Sequence, residues 1–95
     1  MYAMFTEVNA DESTIDQARD LLQIFAAPRA REWGATGGYW LAPVGGRGVS
    51  VIVFETEEEA RKAADNFEIG EPPMPNAPAG VTIRTVEVRE VLAIV

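Results

Sequence analysis

Ninety-five residues bound this chain to one domain, 1–95, large enough for its own hydrophobic core. A net charge of −7, from 15 acidic and 8 basic residues, argues against nucleic acid and anionic membranes as partners. With no cysteine and no histidine, the chain has no disulfides, no thiolate chemistry, no near-neutral proton shuttle and none of the commonest metal ligand, so we expect no metal and no cofactor.

Met1 to Val8 reads as a strand. Tyr2, Met4, Thr6 and Val8 share one side, and Ala3, Phe5 and Glu7 the other. Apolar residues on both sides predict a central strand. Met1–Phe5 has no basic flank of the signal-peptide kind, and no apolar run nears the ~20 residues of a membrane span. The expected location is cytoplasmic.

A first helix is predicted from Ser13 or Thr14, each with capping-box spacing to Asp16 or Gln17. Ile15, Ala18, Leu22 and Phe25, with Leu21 beside them, form its apolar stripe. Pro28 lacks an N–H and crowds the carbonyl of Ile24, which predicts a kink or break. Gly34 to Gly38 then lead into a second strand, Tyr39–Val44, placed at a sheet edge because Pro43 cannot donate to a ladder.

Gly45–Gly48 reads as a hairpin turn. A four-residue turn pairs Val44 with Val49. That register sets Tyr39 opposite Phe54, on one face with Leu41, Ser50 and Ile52, and sends Trp40 to the other face with Val51 and Val53. The third strand, Arg47–Glu55, is apolar on both sides and therefore central. A second helix begins at Thr56, with Glu59 closing the capping box and Glu57–Glu59 at the positive end of the helix dipole. Ala60, Ala63, Ala64 and Phe67 are its buried stripe. Residues 68–80 carry four of the six prolines and read as a stiff, extended loop, a spacer or a lid. Val81–Val95 reads as one long last strand with an apolar end.

The order strand, helix, strand, strand, helix, strand is that of the α+β ferredoxin-like fold, βαββαβ, a four-stranded antiparallel sheet with two helices on one face. Two helices cover one face only. A bare second face would exceed the ~300–600 Å² of a monomer's usual largest patch, so a homodimer through that face and the C-terminal strand is expected.

The chain resembles the dimeric α+β barrel superfamily, and within it the antibiotic-biosynthesis-monooxygenase-like proteins. The resemblance spans nearly the whole chain. It rests on the element order, on Gly-x-x-Gly-Gly-Tyr-Trp-Leu at Gly34–Leu41, on Val-Phe-Glu-Thr-Glu-Glu-Glu-Ala at Val53–Ala60, and on Val86–Val91. It implies a ligand site between the sheet's open face and the helices or loops. Haem-degrading relatives carry a tryptophan where this chain has Phe54, and a histidine on the second helix; both are missing.

The candidate ligand-binding residues are Tyr39, Ser50, Phe54 and Arg84. Tyr39 would hydrogen-bond a phenolic substrate, Phe54 stack on it, Ser50 supply a hydroxyl and Arg84 a positive charge. No catalytic residue is assigned. Two functions follow as expectations. One is a cofactor-independent, monooxygenase-like enzyme acting on a small apolar or aromatic compound. The other is a non-catalytic homodimeric ligand-binding or interaction module.

Overall fold

Gly45 and Gly46 both take positive φ, 62° and 80°. Two such residues in a row make the two-residue turn whose twist matches that of paired strands. They join β2 (Gly37–Val44) to β3 (Arg47–Phe54), with Val44 opposite Arg47. The computed structural model describes residues 1–95. β3 pairs antiparallel with β1 (Tyr2–Asn9), and β1 with β4 (Thr82–Glu90), giving the sheet order β2-β3-β1-β4. The fold is α+β and ferredoxin-like, with β1 and β3 central and β2 at an edge, as the sequence pattern predicts.

The β2–β3 register corrects the expected one. The turn is shorter than predicted, and a bulge follows between Leu41 and Val44, where Pro43 has no N–H to give. Tyr39 consequently pairs with Val51, three positions short of Phe54. An odd slip exchanges the faces of a strand. Trp40, opposite Ser50, therefore shares the helix-covered face with Ile52 and Phe54, and Tyr39 and Leu41 lie on the uncovered face with Val49, Val51 and Val53.

Residues 12–32 are helical throughout. A short 3₁₀ turn (Glu12–Thr14) leads into α1 (Ile15–Leu21), then a wide π turn (Leu22–Ala26), then α2 (Ala27–Glu32). The cap is Asp11, whose carboxylate accepts from Ser13 N–H at 2.8 Å, and not Ser13 or Thr14. The backbone N–H of Ser13 foremost, and its side chain next, hold the Asp11 carboxyl below its ordinary range. Pro28 does not break the helix. The wider turn ahead of it, in which Ala27 N–H reaches back to Leu22, gives the proline ring room near the Ile24 carbonyl. The extra residue also rotates the apolar stripe. Phe25 and Ile24 end up exposed, no residue of α1 is fully buried, and Ala26 and Ala30 face inward instead.

Gly34, with φ 99°, ends α2. Its N–H bonds to Arg31 and that of Ala35 to Ala30, each at 3.0 Å, which satisfies two terminal carbonyls.

α3 (Glu57–Ala64) follows its predicted pattern. Thr56 Oγ1 accepts from Glu59 N–H at 3.2 Å, and Arg61 pairs with Glu57 at 2.8 Å. Loss of this cap in Thr56→Ala is expected to cost about 1 kcal/mol, measured by urea unfolding. Ala60 and Ala63 lie on Phe54, Ile52 and Met4, and with Ala30 they form the central core. Small alanines bring the helix close to the sheet, which leaves Phe54 wholly buried. Trp33, Trp40 and Phe67 pack around this cluster.

β4 is shorter than the predicted fifteen-residue strand. It stops at Glu90 because its partner does: Tyr2–Glu90 is the last pair, and Met1 O takes only the N–H of Val91. Residues 91–95 leave the ladder, with Leu92, Ile94 and Val95 exposed. A second irregularity, between Glu7 and Val8, leaves Arg84 as the unpaired residue between Ile83 and Thr85.

Candidate functional site

Because α1 stands off the sheet, a cavity of about 120 Å³ remains beneath it. Its floor is the helix-covered face of the sheet, from Met4, Thr6 and Val8 on β1, Ser50 and Ile52 on β3, and Ile83 on β4. Ala18, Leu21 and Leu22 form the roof, Trp33 and Trp40 stand at the sides, and Pro73, Met74, Ala77 and Pro78 wall the remaining end. The proline-rich segment is thus a wall of the cavity and not a detached spacer. It is held there by Gly70 N–H to Ile83 O and Ile83 N–H to Glu71 O, each at 2.8 Å, and by Arg29, which donates to Pro73 O at 3.1 Å.

Besides Thr14 at the start of the helical stretch, two polar features break the apolar lining. The first is the Thr6 and Ser50 hydroxyl pair, hydrogen-bonded to each other across β1 and β3, where the two residues lie directly opposite. Both are buried. Thr6→Val leaves the Ser50 hydroxyl without its partner, at an expected cost of about 1–3 kcal/mol. Adding Ser50→Ala should recover part of that loss, and a double-mutant cycle by urea unfolding reads the coupling.

The second is Arg29, the only charged residue in the lining. Its guanidinium carbon lies 4.8 Å from the ring centre of Trp33, 5.2 Å from Phe25 and 5.6 Å from Phe67. Trp33 and Phe67 themselves meet edge to face, with centres 5.8 Å apart. Burial holds the Arg29 guanidinium below its ordinary range, but an arginine so far above neutrality remains charged.

The four residues singled out in the sequence do not converge. Ser50 lies on the cavity floor. Phe54 is in the core behind it, against α3, and does not line the cavity. Tyr39 is on the opposite sheet face and 73% exposed. Arg84 is exposed at the β4 irregularity. Thr6 and Arg29 were not singled out. The sequence does contain a signal for Arg29: Phe25, Arg29 and Trp33 recur every four residues, which stacks aromatic rings on either side of a cation along a helix.

The uncovered sheet face carries Ala3 and Phe5 of β1, Val49, Val51 and Val53 of β3, and Tyr39 and Leu41 of β2. Toward β4 it turns polar, with Glu87 and Arg89 paired at 2.6 Å, and Glu7 bridges to Arg47 at 2.9 Å. The central part is apolar, as the strand pattern predicts, although β2 contributes different residues from those expected.

Fold and site together define a small ferredoxin-like α+β protein with a partly open, largely apolar cavity. Comparison with protein-family models, with curated proteins and with solved structures gives no match. No helix is long and apolar enough to cross a membrane.

Proposed function

We propose that this chain acts as a homodimeric binding protein, cytoplasmic in location, that holds a small apolar compound in the cavity under α1. The observation that carries the reading is the cavity itself: a partly open, largely apolar hollow with the Thr6–Ser50 hydroxyl pair, Thr14 and one cation, the make-up of a small-molecule site on a smaller scale than the usual ~300–1,000 Å³. The dimer is supported by the apolar sheet face and the exposed apolar tail. Only 14 of 95 residues are buried in the single chain, so much apolar surface is left for a second copy to cover.

Both tryptophans of the chain, Trp33 and Trp40, line the cavity, so intrinsic fluorescence reports its occupancy. A saturable change in emission, with a raised unfolding temperature, is expected for some member of a panel of small aromatic and alkyl compounds. Unchanged emission and melting throughout the panel at millimolar concentration would remove the ligand reading.

The hydroxyl pair favours a second reading, the cofactor-independent, monooxygenase-like activity implied by the family resemblance. Two hydroxyls on an apolar floor can donate to a developing phenolate oxygen once a substrate replaces their mutual bond. In this reading Ser50 takes the place first assigned to Tyr39. Oxygen uptake with a phenolic panel tests it, and turnover by Ser50→Ala equal to that of wild type would rule out the hydroxyl's role.

A further inference from the structure

We infer that the compound held in the cavity is a monoanion, an apolar body with one carboxylate-like end, and that Arg29 receives the charged end. The inference rests on the cavity being a ligand site and adds the chemical class of the ligand.

Arg29 is a cation without a counterion. The chain carries 15 acidic residues, yet none of its four ion pairs involves Arg29, and no acidic residue lines the cavity. A guanidinium has five N–H donors. Here one donates, to Pro73 O, and Nε is buried with no acceptor at all. The surrounding rings of Phe25, Trp33 and Phe67 offset part of the desolvation of the charge. Ring faces do not, however, accept the in-plane N–H groups that remain. A group that is partly removed from water, unpaired and held in place by three aromatic rings is preorganised for an oxygen anion. The rest of the lining sets the body of the ligand. Met4, Val8, Leu21, Leu22 and Ile83 offer no partner to a second charge. A dianion would leave its second charge unpaired there, at a cost that a monocarboxylate avoids. Because Arg29 also ties down Pro73, an anion at Arg29 abuts the proline-rich wall at the point where it is anchored.

The test uses wild-type protein and two pairs of isosteric probes at pH 7, benzoate against benzamide and hexanoate against hexanamide, titrated by calorimetry at fixed ionic strength. The carboxylates are expected to bind about tenfold or more tighter than their amides, the size of a charge-assisted hydrogen bond. In Arg29→Met, which keeps an unbranched apolar stem among the rings, the ratio of acid to amide affinity should fall to about one. Equal affinity of acid and amide for wild type would overturn the inference and leave the cavity as a site for neutral compounds. Failure of both members of both pairs to bind would count against the cavity reading as well. The wild-type comparison decides the matter even where Arg29→Met does not fold.

Discussion

Phe54→Ala is expected to lower unfolding stability by about 3–5 kcal/mol, a large share of the ~5–15 kcal/mol that holds a domain together. Phe54 is 0% exposed, and its neighbours Ala60 and Ala63, at 0% and 1%, have no longer side chain to swing into the space left behind. The cavity term is therefore felt almost in full. Urea unfolding at fixed protein concentration measures it. A loss below about 1 kcal/mol would mean that α3 closes onto the sheet after truncation, contrary to the close packing that the alanines create. The result also separates two roles for Phe54. A ligand-stacking residue can be removed with little loss of stability, whereas a core residue cannot.

Val51→Lys is expected to convert the proposed dimer to a monomer. Val51 sits in the middle of the uncovered face, between Phe5 and Tyr39 on the neighbouring strands. An ammonium group buried there against an apolar partner face has no counterion, and such a charge costs several kcal/mol, enough to shift a dissociation constant by a factor of 10³ or so. Sedimentation velocity across a range of concentrations reads the outcome. Because strand interiors tolerate lysine when it faces water, the fold of the protomer should survive, as checked by circular dichroism. Wild-type protein that sediments as a folded monomer at micromolar concentration would contradict the dimer itself. Truncation before Leu92 gives a smaller companion test, since the exposed apolar tail is the other surface assigned to the interface.

The two results bear on different parts of the molecule. The first concerns the face covered by α2 and α3, the second the face covered by nothing in the single chain. The ligand inference depends on neither, because Arg29 and the hydroxyl pair lie in the gap between α1 and the sheet. A monomeric protein could still bind an apolar anion, and a dimeric one could bind nothing.

Much of the architecture was readable along the chain because it follows from local rules. Alternation of side chains made β1 and β3 central, Pro43 put β2 at an edge, and Thr56 with Glu59 fixed the start of α3. Those signals act over a few residues and survive folding unchanged. Apolar residues on both sides of the central strands likewise foretold an apolar uncovered face, whatever the register.

What the chain alone did not fix was the pairing of distant positions. Gly45 and Gly46 accept a two-residue turn as readily as a longer one, and the Leu41–Val44 bulge adds an odd residue, so Tyr39 and Trp40 exchanged faces and the proposed site came apart. The π turn before Pro28 did the same for the first helical stretch, rotating Phe25 outward and turning Arg29 toward the cavity. The length of β4 was set by where β1 runs out of partners. In each case one backbone residue gained or lost redirects every side chain beyond it, while the hydrophobic pattern that marks the element stays the same. The sequence therefore determines which segments form the sheet and helices; only their three-dimensional pairing decides which residues meet around the cavity.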